Sequence, residues 1–405
     1  MSAETGARGR ERVARAALSR LMEPSDWVGL ALVAAAGPQD ALRIATGVLA
    51  AGRRLQEDLA GLLGRRPENE PGRMLAEALE RWAPRVKDLA PERDLATIAR
   101  FGGTLVVPGD GLWPAALADL QLGAPLCLWV RGRAGDGIPL QEQAVALVGS
   151  RDSTGFGNAV TADLATGLVQ RGCHVVSGGA YGIDAQAHRS ALAAAGEGQG
   201  PATLAVMACG LDRYYPAGNE ELLRAVAARG LLIAEVPLGS APTRWRFLQR
   251  NRRIAALAGA TVVVEARWRS GALNTAHHAA ELGRPVGAVP GSVYSANSAG
   301  THRLLRDGSA VCVTGAAGAA ELAGPVDAAR QDGAGRQEPP ADHDGLGVEE
   351  LLLLDALPVR QGVPVEKLAV VAGLPVQRVL AGLGRLELGA LAVQDATGWR
   401  RGPRR

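Results

Sequence analysis

The sequence is almost without lysine. Lys87 and Lys367 are the only lysines among 44 basic residues, and the formal charge of the 405-residue chain is only +3. A protein that bound nucleic acid or an anionic membrane through its overall charge would carry a larger excess. A site for an anionic partner must therefore come from a local cluster of arginines.

Cysteines and long apolar runs are also scarce. Four cysteines are spread along the chain without a C-x-x-C pair, which argues against a zinc finger and a disulfide framework. They lie mostly in apolar, strand-like runs, so we expect all four to be reduced core residues. The four are Cys127, Cys173, Cys209 and Cys312.

Long apolar runs are absent as well. The N-terminal stretch has no apolar segment, and no later run is long enough to span a bilayer. We therefore expect a cytoplasmic protein that does not enter the membrane.

Hydrophobic residues make up 47% of the chain, enough for two or three domains with their own cores. Residues 1–98 are rich in alanine and leucine with charges at helical spacing, as in the run Ala41–Gln56. Breaks are expected at Pro24, Gly37 and Pro67. This pattern predicts a small helical N-terminal domain.

Residues 99–324 alternate short apolar or β-branched runs with alanine-rich helical segments. This alternation predicts an α/β fold, with a Rossmann-like parallel sheet and helices on both faces. The expected strands are Ala144–Val148, Val175–Val176, Ala202–Met207, Leu231–Ile233, Thr261–Val264 and Val286–Val289.

The last part of the chain changes composition twice. Residues 325–345 contain Asp, Gly, Gln, Pro and Ala with hardly any large apolar residue, which is typical of a flexible linker. Residues 346–405 predict three helices, Leu351–Leu357, Val365–Ala372 and Val376–Leu388, followed by a hairpin. That order is typical of a winged-helix-like domain.

Three glycine-bearing loops follow predicted strands. They are V-G-S-R from 148, S-G-G-A-Y-G-I-D from 177 and S-G-A-L-N-T from 270. A strand end, a glycine turn and a helix start together expose backbone N–H groups that favour a phosphate. Three such helix starts at one sheet edge would follow several phosphates of one strand. Ordinary tight turns and helix caps are the alternative.

Histidines near these loops raise the question of catalysis or a metal. Asp184 and His188 are four residues apart, and we interpret them as a loop brace and a packing residue. His277 and His278 have no further ligand at metal spacing, so we expect them on a helix surface or in the core. The sequence therefore predicts no metal site.

A basic stretch with aromatic residues completes the pattern. Residues 244–269 hold seven arginines and a single acid, Glu265, with Trp245 and Phe247 among them. Arginine neutralises phosphates, and aromatic rings offer stacking faces to unpaired bases. A solvated charged face is the alternative. Because α/β folds bind ligands at strand ends, we favour DNA.

With these motifs in order, the sequence resembles the DprA/Smf family from about Trp113 to Val313. The resemblance implies a SAM-like helical N-terminal domain and a Rossmann-like domain that binds and protects single-stranded DNA and forms a homodimer. It also implies loading of the RecA recombinase in natural transformation or related recombination. Its motifs are VGSR at 148–151, SGGAYGID at 177–184, ACGLD at 208–212, RNR at 250–252, SGAL at 270–273 and VPG at 289–291.

Positions that match the family motifs imply the DNA contacts. Leu248, Gly179 and Ala272 stand where the family often has proline, leucine and serine, which affects the shape of the loops. Arg253 stands in place of an apolar residue and offers a further phosphate contact. The implied contacts are Ser150, Arg151, Ser177, Gly178, Gly179, Arg250, Asn251, Arg252, Ser270 and Gly271.

Two enzyme hypotheses compete with DNA binding. A nucleotide or nucleoside-phosphate hydrolase of related fold would carry PGG-x-GT-x-x-E, whereas P-G-S-V-Y at 290–294 lacks the second glycine, the threonine and the acid. A dinucleotide-dependent oxidoreductase would use Glu265 to bind ribose, but the irregular glycine spacing and the arginine cluster argue against it. We therefore predict a non-catalytic protein without cofactor or metal.

Overall fold

The computed structural model describes residues 2–64, 71–196, 200–324 and 346–402. The chain divides into two compact units, Met1–Gly333 and Ala334–Arg405. The linker predicted at 325–345 and the helix break predicted at Pro67 lie outside the described residues.

Helices precede the sheet, as the composition predicts. Within α2, Gly37 has φ +75° and is followed by Pro38, so the break predicted there is confirmed. The helical run predicted over Ala41–Gln56 is wrong, because α2 ends at Ala45 and Gly47 turns the chain with φ +78°. The helices are α1 Ser2–Leu21, α2 Trp27–Ala45, α3 Arg53–Leu62, α4 Pro71–Val86 and α5 Pro91–Arg100.

The described residues form one nine-stranded sheet in the order β1-β2-β6-β5-β4-β3-β7-β8-β9. Strands β3 to β9 pair in parallel, as predicted. Strand β2 runs antiparallel to both of its neighbours, β1 and β6, and the sequence did not predict this pairing. The strands are β1 Gly103–Val106, β2 Leu128–Gly132, β3 Ala144–Val148, β4 His174–Ser177, β5 Thr203–Met207, β6 Leu231–Ala234, β7 Ala260–Val263, β8 Val286–Ala288 and β9 Val311–Cys312.

Helices cover both faces of the sheet. Alternate residues of β3 enter different cores, because side chains along a strand point to opposite faces. Ala146 and Val148 pack with α9 and α10, whereas Val145 and Leu147 pack with α6, α7 and α12. The helices are α6 Gly155–Gln170, α7 Ile183–Ala194, α8 Glu220–Arg229, α9 Arg244–Ala256, α10 Gly271–Glu281, α11 Ala299–Arg306 and α12 Ala316–Ala323.

The strand order reverses beside β3. Strand β4 lies on one side of β3 and β7 lies on the other. Helix α6, which follows β3, packs on one face of the sheet, and α10, which follows β7, packs on the other. The loops after β3 and β7 therefore diverge and leave a crevice at the carboxyl ends of the strands.

The helical region has its own core and also packs on the sheet. Leu32, Leu59 and Trp82 belong to a cluster formed largely by α1 to α4, while Ala16 and Ile98 join residues of β1, β2, β5 and β6 in another. Both regions thus belong to one compact unit. The domain boundary between 98 and 99 stays a prediction.

The described residues of the second unit form three helices and a two-stranded antiparallel hairpin, in the order predicted. Its winged-helix identification stays a prediction. Among the described residues no single helix is long and apolar enough to cross a membrane, although α14 and α15, bent by 101°, together pass that test by length and composition. The elements are α13 Val348–Ala356, α14 Val365–Ala372, α15 Val376–Leu388, β10 Ala392–Asp395 and β11 Gly398–Arg401.

The cysteines follow the prediction with one exception. Cys127, Cys173 and Cys209 are buried. The prediction is wrong for Cys312, which is exposed because β9 forms the edge of the sheet.

Candidate nucleic-acid interface

A groove of about 800 Å³ opens at the carboxyl ends of the central parallel strands. The loop after β3, the start of α7, the first two turns of α9 and the loop between β7 and α10 line it. This is the crevice where the strand order reverses, the usual ligand site of open α/β sheets. Six of the predicted contact residues line the groove: Ser150, Arg151, Arg250, Asn251, Ser270 and Gly271.

Glu265 holds the loop after β3 in place. Its carboxylate accepts the backbone N–H of Thr154 at 2.9 Å and the Thr154 hydroxyl at 2.5 Å, and its carbonyl accepts the N–H of Ser150 at 2.8 Å. Thr154 in turn caps α6 by accepting the N–H of Gly157. Glu265 is only 2% exposed, so the ribose-binding role considered for it is wrong.

Phe247 on α9 lies close to two arginines of the groove. The guanidinium carbon of Arg151 is 5.0 Å from the centre of its ring, and that of Arg250 is 5.9 Å away. The ring of Tyr215 is 5.8 Å from Phe247. The groove thus combines aromatic rings, on which bases can stack, with charges that attract phosphates.

Arg250 is almost fully buried at the base of the groove, with 4% of its surface exposed. Its Nη1 donates to the carbonyl of Val206 at 3.3 Å and lies 3.8 Å from a carboxylate oxygen of Asp184, while its Nε has no partner. Burial lowers the pKa of Arg250 and raises that of Asp184, and each charge offsets the effect on the other. A Cβ on Gly178 would overlap the guanidinium, so any larger residue there would displace the buried Arg250 side chain.

The loop after β7 reaches the groove through the start of α10. Ser270 caps this helix by accepting the N–H of Ala272 at 3.3 Å, and a Cβ added to Gly271 would meet open space. The amide of Asn251 donates to the carbonyl of Gly271 at 3.4 Å and to Asn274 at 3.1 Å. These bonds fasten α9 to α10 across the groove.

Charge in the groove is predominantly positive. Its lining contains five arginines and two aspartates among the described residues, a net charge of +3. Arg244, Arg267 and Arg269 belong to this lining but were not among the predicted contacts, although the basic stretch contained them. Asp152 forms an ion pair with Arg267 and so links the loop after β3 to the loop after β7.

The model of the family described as DNA recombination-mediator protein A matches residues 104–323, more than half of the chain. The chain belongs to this family. The DNA processing protein DprA of Mycobacterium tuberculosis is 44% identical over 320 residues, 76% of this chain and 79% of the relative. The X-ray structure of Streptococcus pneumoniae DprA is 28% identical and covers 76% of this chain and 95% of its own, with a TM-score of 0.56. Its Helicobacter pylori counterpart, described for its single-stranded DNA binding mode, is 27% identical and covers 54% of this chain and 94% of its own, with a TM-score of 0.47.

Four positions that match the family motifs do not line the groove. Ser177 is fully buried and donates its hydroxyl to the carbonyl of Leu147 at 2.7 Å. Gly179 has φ +68°, and its carbonyl accepts the amide of Asn219. Arg252 donates to both oxygens of Glu235 at 3.0 Å. With Gly178, these residues support the groove from inside the protein.

Arg253, which stands where the family has an apolar residue, is buried and does not line the groove. It is 1% exposed and pairs with the carboxylate of Glu235, and burial lowers its pKa to about 9. The prediction that Arg253 contacts a phosphate is therefore wrong.

The interpretation of Asp184 and His188 as brace and packing residue is confirmed. Asp184 accepts the N–H of Ala180 at 3.4 Å. His188 is fully buried with its Nδ1 2.7 Å from the hydroxyl of Thr203, and burial lowers its pKa to about 3. The other histidine pair lies on α10 near Glu281. The parts of the chain that the structure describes contain no group of three or more His, Cys, Asp or Glu arranged to hold a metal.

Proposed function

We propose that this family member binds single-stranded DNA in the groove and delivers it to a RecA recombinase. The observation that supports the proposal best is the Phe247 ring close to Arg151 and Arg250, in a groove of net charge +3. Bases in a duplex are already stacked on each other, so an aromatic ring beside arginines favours unpaired bases.

Each part of the groove supplies a different interaction. The exposed guanidinium of Arg151 and the start of α10 at Gly271 face phosphates. Arg250 is anchored by Asp184 and Val206, and its guanidinium places a positive charge at the base of the groove, where it attracts phosphates. None of these interactions selects a base pair, so we expect little sequence preference.

The same groove gives little support to the hydrolase alternative. Asp152 pairs with Arg267, Asp184 contacts Arg250, and Glu265 is held by Thr154. The buried His188 hydrogen bonds to Thr203. In the described part of the chain each of these groups is thus engaged, which supports a non-catalytic mediator.

We also propose a homodimer formed around α10 and β9. Strand β9 pairs only with β8 in the described sheet, and Val311 on it is 57% exposed. An apolar edge strand of this kind is a ready surface for a second chain. Light scattering tests the assembly, and monomers at high protein concentration would contradict it.

The test of DNA binding is fluorescence anisotropy with single-stranded and duplex oligonucleotides at about 50 mM and about 200 mM salt. We expect a salt-sensitive preference for the single strand. The double variant Arg151→Ala, Arg250→Ala should bind single strands more weakly and lose about 1.4 units of the salt slope, since two cations are removed and each contributes about 0.7 on a single strand. Arg53→Ala, whose side chain is 93% exposed on α3, is the matched control.

Unchanged affinity and slope in the double variant would exclude the groove. Nucleotide turnover without DNA binding would favour the hydrolase instead. RecA delivery is measured separately, as the rate at which RecA assembles on a single strand with and without this protein.

A further inference from the structure

A second groove, of about 740 Å³, lies between the helical region and α9. We call it the tryptophan groove, because Trp27 and Trp245 line it and are each 50% exposed. Arg81 and Arg85 of α4 line the same groove. Large aromatic side chains are normally buried, so two half-exposed indoles in one groove suggest a ligand.

Hydrogen bonds hold the walls of the tryptophan groove. The indole N–H of Trp245 donates to the carbonyl of Pro24 at 3.2 Å, and that of Trp82 donates to Asp26 at 2.8 Å. Arg246 holds the carboxylate of Glu23 with two bonds of 2.9 and 2.8 Å. Because their polar edges are bound, these groups are fixed before any ligand arrives.

The acids in this groove are paired. Glu23 binds Arg246 and also lies 3.2 Å from Arg85, and Asp26 lies 3.5 Å from Arg81. The lining thus combines aromatic surface with two guanidiniums and two carboxylates, a net charge of zero. Such a surface suits a flat, uncharged ring such as a nucleobase, which stacks on an indole while its phosphate stays in solvent.

Helix α9 connects the two grooves. Arg244, Phe247 and Leu248 in its first turns line the DNA groove, and Trp245 lines the tryptophan groove. Phe247 and Trp245 are two residues apart, which is about 200° around the helix axis, so the two rings lie on opposite sides of α9. A strand that contacted both rings would have to pass around the start of this helix.

We infer that the tryptophan groove is a second subsite for the same single strand, where one or two bases stack on Trp27 and Trp245. The inference rests on the proposed function and extends it from one groove to a path. The volume lies in the range of roughly 300–1,000 Å³ that small organic ligands occupy, which suits one or two nucleosides.

The test compares the affinity of the full chain for oligothymidylates of about 4 to about 16 nucleotides, a range that spans common single-strand site sizes. Wild-type affinity should rise with length in two steps, and the second step should come when the oligonucleotide is long enough to pass around α9. Trp27→Ala should remove this second step. It should weaken binding of the longest oligonucleotide about tenfold and leave binding of the shortest unchanged. Trp27→Phe should restore most of the loss, because it keeps a stacking face.

Phe101→Ala is the matched control, since this ring is 40% exposed and lies in neither groove. This variant should bind oligonucleotides of every length with wild-type affinity. Trp245→Phe keeps the ring and loses the bond to Pro24, and should cost less affinity than Trp27→Ala. Melting curves of all variants exclude a folding defect.

The outcomes separate the two proposals. If the wild type binds no oligonucleotide, the proposed function fails. If Arg250→Ala weakens every length but Trp27→Ala weakens none, only the second subsite is overturned. If Trp27→Ala leaves DNA binding intact and instead abolishes RecA assembly, the groove binds a protein and the inference is wrong.

Discussion

Arg250, Arg252 and Arg253 stand within four residues of α9 and meet different environments. Arg250 reaches the DNA groove, whereas Arg252 and Arg253 both pair with the single buried carboxylate of Glu235. Arg252 Nη1 and Arg253 Nε have no hydrogen-bond partner, and burial lowers the pKa of both guanidiniums, to about 10 and about 9. One carboxylate thus offsets two buried charges.

Glu235→Gln should destabilise the protein strongly. Removing the shared partner leaves two uncompensated buried cations, which costs about 3 kcal/mol of unfolding free energy. Urea unfolding followed by circular dichroism measures this cost. Glu77→Gln, which breaks an exposed ion pair with Arg73 on α4, should change stability by less than about 0.5 kcal/mol. Equal effects in both variants would contradict the role of Glu235.

The buried His188 makes stability depend on pH. Burial lowers its pKa from 6.5 to about 3, so between these values the unfolded chain binds a proton that the folded protein excludes. Its contribution to stability is complete above the unfolded pKa and is lost as pH falls toward the folded pKa. Between about pH 7 and about pH 5 the loss amounts to about 2 kcal/mol.

His188→Gln should reduce this acid sensitivity while allowing a hydrogen bond to Thr203. Unfolding free energies of both proteins at the two pH values give the difference directly. A variant with the same pH dependence as wild type would show that His188 accepts its proton without unfolding.

Which arginines reach the groove was not predictable from the sequence. The α9 run R-W-R-F-L-Q-R-N-R-R is polar on every side, so apolar periodicity gives no buried face. Burial of Arg252 and Arg253 depends on Glu235, which follows β6 and meets α9 only in the folded chain. Motif matching found Arg250 and Arg151, but it did not find Arg244, Arg267 or Arg269.

At the scale of elements, the strands were predictable because each central one is a short apolar run. Strand β3 occupies Ala144–Val148, the predicted range. The antiparallel pairing of β2 with β1 and β6 was missed, because neighbours in a sheet depend on contacts distant in sequence. The break after Ala45 was missed because an isolated glycine is tolerated in a helical pattern.

The start of α6 depends on Glu265 from the neighbouring strand end. Glu265→Ala removes both bonds to Thr154 and frees the loop that carries Ser150 and Arg151. We expect weaker binding of single-stranded DNA, about tenfold, although the change makes the site more positive. A charge effect alone would give the opposite sign, so anisotropy distinguishes the two causes.

Glu57→Ala is the control for that change, because it removes one exposed negative charge on α3, outside the loop and both grooves. It should leave affinity unchanged or slightly higher. Tighter binding in Glu265→Ala would mean that the loop does not need its anchor.

At the scale of the whole molecule, the two units have separate cores. Leu353, Leu368, Leu383 and Trp399 pack in a cluster of the second unit, which shares no residue with the clusters around the sheet. The described residues that line the DNA groove all belong to the first unit.

A chain that ends at Gly324 should therefore keep its affinity for single-stranded DNA. If the second unit is independent of the groove, removing it changes the free energy of DNA binding by less than about 0.5 kcal/mol. Fluorescence anisotropy of the full chain and the shortened chain measures this difference. A larger loss would assign part of the DNA path to the second unit.

The position of Cys312 gives the protein a built-in reporter. The other three thiols are buried, and burial raises the pKa of Cys127 to about 12 and that of Cys209 to about 11, so their reactive thiolates are scarce. A maleimide dye should therefore label the native chain once, on the edge strand β9. If two chains meet at that edge, the labelling rate falls as protein concentration rises. The wild-type chain then reports its own assembly without an engineered cysteine.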